Sequence, residues 1–238
     1  MVVLLNKAKN VLLDVLFPPL CLNCRENLDD RNNLICQNCL GLIQFNNTLF
    51  CPVCRARLAE NKKICHFDSQ YLLAAAGNYD DTVLQNLIHY FKYRSFQNLA
   101  PILGEILVKY LNLLNLKSLN PKSFIIIPVP LHSKRQRERG FNQAKLLAEI
   151  IAKKLNLETS EALERIKPTK PQVKLKDTEE RRKNVADCFT IKNPELIRDK
   201  NIILVDDVFT SGATMDEAVK IIKKNGAKRI ITLVLAKA

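Results

Sequence analysis

The residues best suited to chemistry in this sequence are two adjacent carboxylates, Asp206 and Asp207, which follow the apolar run at residues 202–205. A turn of hydroxyl-bearing and small residues comes next, with the sequence Val208-Phe209-Thr210-Ser211-Gly212-Ala213-Thr214. Such a turn lets backbone N–H groups approach a phosphate, and a helix beginning near Ala213 directs its positive end to the same place. The carboxylates can accept hydrogen bonds from a ribose diol or bind Mg²⁺. The pattern predicts a sugar-phosphate site; the alternative is that the carboxylates only end a core strand and cap the next helix.

Cysteine spacing predicts zinc in the first third of the chain. Three C-x-x-C pairs and one further cysteine lie there: Cys21 and Cys24, Cys36 and Cys39, Cys51 and Cys54, and Cys65. Two thiolates at this spacing can bind one ion, so the first two pairs predict a closed structural site. The remaining three cysteines need a fourth ligand, for which His66 is the nearest candidate. An incomplete second site and an interleaved pairing stay open, and the isolated Cys188 is expected to be a buried apolar residue.

The net charge of +13 indicates a polyanionic partner, unless the lysines are spread over a solvated surface. Basic residues concentrate at residues 134–139 and 167–183, which favours contact with phosphates. The residues expected to bind nucleic acid are Lys134, Arg135, Arg137, Arg139, Lys174, Arg181 and Arg182. Guanidinium groups at Arg135 and Arg139 would also neutralise a pyrophosphate.

The elements that must position these residues follow from hydrophobic patterning. The predicted strands cover residues 71–79, 123–130, 202–205 and 229–235, and the predicted helices cover residues 81–93, 99–114 and 141–155 with another beginning near residue 213. Alternating strands and helices predict a doubly wound parallel sheet, whose ligands bind at the carboxyl ends of the strands. The polar segment 165–189 is predicted to be a mobile lid, with a surface β-hairpin or a disordered loop as alternatives.

Domain organisation and location are also predicted. A zinc module with an N-terminal helix is expected at residues 1–68 and the sheet domain at residues 69–238. No apolar run is long enough to span a membrane, and residues 1–17 carry Lys7, Lys9 and Asp14, which favours an amphipathic helix. The missing signal segment and the metal-type cysteine pairs favour a cytoplasmic protein.

Several separated blocks resemble one family when taken in order. After the cysteine pairs come Ile127-Pro128-Val129-Pro130-Leu131-His132, Arg139-Gly140-Phe141-Asn142-Gln143, Pro171-Gln172, Leu175, Arg181-x-x-Asn184-Val185, Phe189 and residues 205–214. This order resembles the ComF family of competence proteins over nearly the whole chain. The last block also resembles the 5-phosphoribosyl-1-pyrophosphate (PRPP) motif of type I phosphoribosyltransferases. Two features depart from the family pattern: Cys65 stands alone where a further cysteine pair is common, and the spacer between Leu175 and Arg181 is one residue longer.

The resemblance implies an α/β fold, a doubly wound parallel sheet of the type I phosphoribosyltransferase kind, behind a small cysteine-rich zinc module. It implies PRPP or a related sugar phosphate as ligand, with Mg²⁺, and Asp206 and Asp207 as catalytic residues. The implied PRPP contacts are Asp206, Asp207, Phe209, Thr210, Ser211, Gly212, Ala213, Thr214, Arg135 and Arg139. It further implies a role in natural transformation, handling incoming single-stranded DNA beside competence DNA-processing proteins. Turnover is left open, and the alternative is a nucleobase-salvage phosphoribosyltransferase without a DNA role.

Overall fold

A computed structural model of the chain describes residues 18–58, 65–66, 68–114, 124–170, 175 and 177–238. The amphipathic helix predicted for residues 1–17 and the predicted nucleic-acid contact Lys174 lie outside these residues. None of the helices within the described ranges is both long enough and apolar enough to cross a membrane.

A seven-stranded sheet organises the described part of the chain. Its strands are β1 (Leu49–Phe50), β2 (Arg57–Leu58), β3 (Leu72–Asn78), β4 (Phe124–Pro128), β5 (Glu158–Thr159), β8 (Asn201–Phe209) and β9 (Ile230–Lys237), while β6 (Leu163–Arg165) and β7 (Phe189–Ile191) form a separate antiparallel pair. The strand order is β2-β1-β3-β9-β8-β4-β5. The strands from β3 to β5 in that order pair in parallel, and β1 and β2 extend the β3 edge in antiparallel pairing.

Seven α-helices accompany these strands in the described residues. They are α1 (Gln37–Leu42), α2 (Thr82–Phe91), α3 (Ala100–Leu113), α4 (Ser133–Arg139), α5 (Gln143–Leu155), α6 (Thr178–Val185) and α7 (Ala213–Lys224), with 3₁₀ turns at Arg94–Leu99 and Pro194–Leu196. Local side chains fix where the long helices begin. The Asp81 carboxylate accepts a hydrogen bond from the Leu84 N–H at 3.0 Å, and the Asn142 side chain accepts one from the Ala144 N–H at 3.1 Å.

Two apolar cores lie on opposite faces of the sheet. Alternation along β8 shows this division, since Ile203 and Val205 belong to one core and Ile202 and Leu204 to the other. Helices α2, α3 and α5 cover the first face, and α7 covers the second. The first core also contains Cys21, Leu22, Ile35, Cys39 and Ile43, so the first two cysteine pairs pack against it. Residues of the predicted zinc module therefore share a core with the sheet.

Three helices, α1, α4 and α6, occupy segments for which the sequence predicted none. Helices α4 and α6 have no buried apolar stripe, so hydrophobic periodicity could not identify them. Local caps start them: Lys134 N–H donates to His132 Nδ1 at 3.3 Å, and Glu180 N–H donates to the Asp177 carboxylate at 2.8 Å. In sequence, α6 lies between strands β6 and β7, which pair with each other. The segment therefore agrees with the hairpin alternative only at its two ends. Its action as a lid stays a prediction.

The predicted domain boundary at residues 68 and 69 also stays a prediction. Strands β1 and β2 lie on its N-terminal side, yet Phe50 of β1 pairs with Leu73 of β3. The main sheet therefore includes strands from the segment assigned to the zinc module.

Candidate functional site

A cleft of about 660 Å³ lies at the carboxyl ends of β4 and β8. It is lined by Tyr79, His89, Lys92, Tyr93, Val129, Leu131, Arg135, Glu138, Arg139, Asn142, Gln143, Ala144, Arg165 and residues 206–215. All of the residues predicted to contact PRPP are in this lining, so the structure brings the two carboxylates, the hydroxyl-rich turn and two arginines to one place.

The turn between β8 and α7, residues 210–214, has a backbone that requires glycine. Gly212 has φ +83°, and a Cβ atom there would lie 2.9 Å from Cζ of the buried Phe209 ring. The Phe209 ring therefore packs directly against the turn at Gly212. Gly212 is the N-cap residue of helix α7 and has no side chain, and the Ser211 hydroxyl accepts a long hydrogen bond from the Ala213 N–H at 3.5 Å. The positive end of the helix dipole is directed at the turn. We call residues 210–214 the phosphate loop.

The two carboxylates lie side by side at the end of β8. The Asp207 N–H donates to Asp206 Oδ1 at 2.8 Å, and Lys92 Nζ lies 3.5 Å from Asp207 Oδ2. Burial raises the pKa of Asp206 to about 7, with the charge of Asp207 acting in the same direction. The Asp206 carboxyl is therefore poised to lose its proton when hydroxyl donors or a cation arrive.

Two arginines one helical turn apart on α4 also line the cleft. Arg135 and Arg139 are half-buried, and Arg139 Nη1 donates to Gln143 Oε1 at 3.0 Å. Arg135 Nη2 is buried and has no hydrogen-bond partner among the described residues. Burial lowers the pKa of Arg135, and the charges of Arg139 and Arg165 lower it further. A buried cationic donor without an acceptor fits an anionic ligand such as pyrophosphate.

The sequence interpretation missed two basic residues of the cleft. Lys92 follows α2 and Arg165 ends β6, both distant in sequence from the carboxylates. No local motif surrounds either residue, because each reaches the cleft only through the packing of its own element. Arg165 stacks 5.3 Å from the centroid of the Phe189 ring and donates to Thr169 Oγ1 at 2.6 Å.

The residues predicted to bind nucleic acid fall into two groups. Arg135 and Arg139 line the cleft, whereas Lys134, Arg137 and Arg182 are exposed and do not. Arg181 is half-buried and donates to the Leu175 carbonyl at 3.4 Å. A nucleic-acid role for the whole set stays a prediction.

Aromatic rings also line the cleft beside Lys92. His89 and Tyr93 meet edge to face with centroids 5.4 Å apart, and Tyr93 is 54% exposed. Two other nearby rings, Phe91 and Phe141, are buried in the core. His89 and Tyr93 are thus exposed rings of the cleft, and Tyr79 is a half-buried one.

The first cysteine cluster consists of Cys21, Cys24, Cys36 and Cys39, whose sulfur atoms all lie within 4.8 Å of one another. A tetrahedral zinc site places thiolates about 3.8 Å apart, from Zn–S bonds of about 2.3 Å. The 3.7 Å separation of the Cys24 and Cys36 sulfurs matches that value. None of the eight cysteines is in a disulfide. The four thiols therefore fit a closed structural zinc ion, with the pairs combined in chain order.

The second cysteine cluster consists of Cys51, Cys54 and Cys65 with His66, again within 4.8 Å of one another. His66 Nδ1 lies 3.4 Å from the sulfur of Cys51 and 3.4 Å from that of its neighbour Cys65. An adjacent Cys-His pair can thus supply two ligand atoms to one ion. This set fits zinc with three thiolates and one imidazole. Cys188 is separate and buried, and burial raises the pKa of its thiol.

Comparison with known proteins gives matches in both halves of the chain. The family described as "Phosphoribosyl transferase domain" matches residues 140–238, and "Double zinc ribbon domain" matches residues 12–67. Competence protein F of Haemophilus influenzae is 38% identical over 117 residues, 48% of this chain and 50% of that protein. Competence protein ComFC of Bacillus subtilis is 37% identical over 105 residues, 44% of this chain and 40% of that protein. DNA utilization protein YhgH of Escherichia coli O157:H7 is 31% identical over 150 residues, 62% of this chain and 64% of that protein.

The chain matches less than two thirds of the length of each of these relatives. The two family matches and the sheet topology nevertheless confirm the predicted fold class. The protein has a type I phosphoribosyltransferase fold with an N-terminal cysteine-rich zinc ribbon module.

Proposed function

This chain belongs to the ComF family of competence proteins, and from that premise we propose that its cleft binds PRPP or a related sugar phosphate while the protein assists the handling of incoming single-stranded DNA. One observation carries the ligand proposal: two adjacent carboxylates, the N-terminus of helix α7 and a buried, unpartnered Arg135 donor line the same cleft. Each of these features alone is common, but together they match the three chemical parts of PRPP.

Each part of the ligand has its own set of residues in this proposal. The phosphate loop holds the 5-phosphate through its N–H and hydroxyl groups. Asp206 and Asp207 accept hydrogen bonds from the ribose hydroxyls, and Arg135 and Arg139 neutralise the pyrophosphate. Mg²⁺, when bound, would offset phosphate charge beside the carboxylates, whose hard oxygens fit it.

The DNA part of the proposal rests on the relatives and on charge. Two relatives are named competence proteins and a third a DNA utilization protein. Helix α4 supports a link between ligand and DNA, because Arg135 and Arg139 line the cleft while Lys134 and Arg137 are exposed. A strand bound along the exposed side of α4 would lie next to the pyrophosphate position, so PRPP and DNA should affect one another's binding.

Calorimetric titration with PRPP and Mg²⁺ tests the ligand proposal directly. The variant Asp206→Asn/Asp207→Asn keeps the side-chain shapes and removes both charges, so its affinity should fall at least about tenfold, or about 1.4 kcal/mol. Asp199→Asn is the control, because Asp199 is exposed and pairs only weakly with Lys228 at 3.9 Å. Equal affinities for the wild type and the double variant would reduce Asp206 and Asp207 to a structural role.

A second candidate function is supported by the His89 and Tyr93 rings. They give the cleft a stacking surface next to Lys92, which a nucleobase acceptor would use. The protein would then be a nucleobase-salvage phosphoribosyltransferase without a DNA role. Pyrophosphate release from PRPP, assayed against a panel of nucleobases and single-stranded DNA, distinguishes the two. Sustained release with one base and no DNA binding would favour the salvage enzyme.

A further inference from the structure

The two cysteine clusters begin with a repeated local structure. Residues 21–28 and 51–58 share the pattern C-x-x-C-R-x-x-L. In the first, Arg25 N–H donates to the Cys21 carbonyl at 3.0 Å; in the second, Arg55 N–H donates to the Cys51 carbonyl at 2.8 Å. Both arginines have positive φ, +65° for Arg25 and +60° for Arg55. The knuckle turns therefore place both arginine backbones in the same conformation.

The two arginines differ in what their side chains contact. Arg25 Nη2 donates to the Tyr90 hydroxyl on α2 at 2.8 Å. Arg55 instead reaches the phosphate loop: its Nη2 donates to the Thr210 carbonyl at 2.6 Å, and its Nη1 to the Ala238 carbonyl at 2.6 Å. Its guanidinium carbon also lies 5.9 Å from the centroid of the Phe209 ring. A residue adjacent to the second cluster thus contacts the loop that forms part of the candidate ligand site.

The contact fixes the orientation of one loop peptide. The Thr210 carbonyl and the Ser211 N–H belong to the same planar trans peptide and point in opposite directions. Thr210 and Ser211 line the cleft, whereas Arg55 does not. Arg55 therefore holds the carbonyl on the side away from the cleft, and the Ser211 N–H is directed toward it. This is the orientation that a phosphate needs.

The position of Arg55 depends in turn on the second cluster. Arg55 ends the turn that begins at Cys51 and includes Cys54, and an ion shared by those two sulfurs with Cys65 and His66 would hold this turn in place. Strands β1 and β2, which flank the turn, hold it at the edge of the sheet. Without an ion, the three thiols and the imidazole have no common partner, and the turn has less to define it.

We propose that Arg55 is a positioning residue that couples metal occupancy of the second cluster to the order of the phosphate loop, and so to the sugar-phosphate binding proposed above. The expected effect on PRPP affinity rests on the proposed function. The expected effect on the order of the loop does not. Arg25 is the matched control, since it has the same backbone and knuckle but contacts Tyr90 instead of the loop.

Two measurements on the full chain test the proposal. Hydrogen exchange at the amides of residues 210–214 should be faster in Arg55→Ala and unchanged in Arg25→Ala. The affinity for PRPP with Mg²⁺ should fall roughly fivefold in Arg55→Ala, as expected for the loss of exposed charge-assisted hydrogen bonds, and less than twofold in Arg25→Ala. Arg55→Lys should recover only part of either effect, because one ammonium cannot reproduce the two-pronged geometry.

A double-mutant cycle with His66→Ala tests the metal link. Removing this second-cluster ligand should speed hydrogen exchange in the loop when Arg55 is present and add little in Arg55→Ala. Any effect of Cys24→Ser in the first cluster on loop exchange should be the same with Arg55 as in Arg55→Ala. Unchanged loop exchange in both Arg55→Ala and His66→Ala would overturn the proposal. If the wild type binds no PRPP, the proposed function fails, and the exchange data alone still decide whether Arg55 couples the cluster to the loop.

Discussion

Replacing Gly212 with alanine should disable the phosphate loop without unfolding the sheet. The φ of +83° places a non-glycine residue in the left-handed region, at a cost of about 1–2 kcal/mol. The added Cβ would also lie 2.9 Å from Phe209 Cζ and 3.3 Å from its Cε2. Overpacking of this kind costs about 1–3 kcal/mol. If the loop of the variant keeps its native conformation, the two costs together are at least about 2 kcal/mol.

The loop can relieve that strain by leaving its binding conformation. The affinity for PRPP with Mg²⁺ would then fall by about 30-fold, the equivalent of about 2 kcal/mol. Calorimetric titration gives the affinity, and urea denaturation followed by circular dichroism gives the free energy of unfolding. If the loop does not relax, the same strain appears as a loss of unfolding free energy, so the two measurements together account for it.

Two further variants separate the causes. Gly41→Ala is the control, because nothing lies within 4 Å of a Cβ there and Gly41 belongs to helix α1, where alanine is the better residue. The double variant Phe209→Leu/Gly212→Ala should regain the part of the PRPP affinity that the contact with the Phe209 ring removes in Gly212→Ala. Phe209→Leu alone is the comparison. Wild-type affinity and unchanged unfolding free energy in Gly212→Ala would refute the reasoning.

Three more predictions address pH, DNA and zinc. Because the pKa of Asp206 is about 7 and its ionised form accepts the ribose hydroxyls, affinity for PRPP should rise about tenfold from pH 6 to pH 8, and titrations of Asp206→Asn should lack that part of the rise. The stability of the ligand-free protein should change with pH in the opposite direction. The folded state retains a proton on Asp206 that the unfolded state releases near pH 4, so the unfolding free energy should decline from about pH 4 to above pH 7. The decline should be smaller in Asp206→Asn. Single-stranded DNA binding through about five phosphates should give a slope near −3.5 for log affinity against log salt. The variant Lys134→Ala/Arg137→Ala should reduce the size of that slope by about 1.4 and leave the affinity for PRPP unchanged. Binding of DNA that does not depend on salt would contradict the phosphate contacts. Metal analysis of reduced protein should find two zinc equivalents, one fewer in Cys24→Ser; less than about half an equivalent, with residues 18–58 still resistant to proteolysis, would contradict structural zinc.

Most of the site that the sequence predicted lies in one short segment, while Arg135 and Arg139 were predicted from a separate cluster of basic residues. The carboxylates, the glycine turn and the helix start are consecutive, so their residue types fix their mutual placement. Local spacing also identified the first cysteine cluster. His66 was named only as the nearest candidate, because the reach of adjacent side chains depends on a backbone bend that spacing does not give.

Long-range contacts account for what could not be predicted. Lys92 and Arg165 enter the cleft from elements far along the chain, and their neighbours in sequence give no sign of it. Arg55 and Thr210 are separated by 155 positions. The repeated C-x-x-C-R-x-x-L pattern is visible in the sequence and marks both arginines, but only the packing of β1 and β2 on β3 decides which of them meets the loop.

The short strands β1 and β2 cover the edge of β3 that would otherwise be free to pair with another chain. Phe50 of β1 pairs with Leu73, and Asn46 donates from its backbone to the Ala76 carbonyl at 2.8 Å and from its side chain to the Ala75 carbonyl at 2.9 Å. Without this cover, β3 would be an exposed, apolar edge strand, which is a template for aggregation. A fragment that begins after residue 68 should therefore precipitate, even though it carries every residue of the cleft.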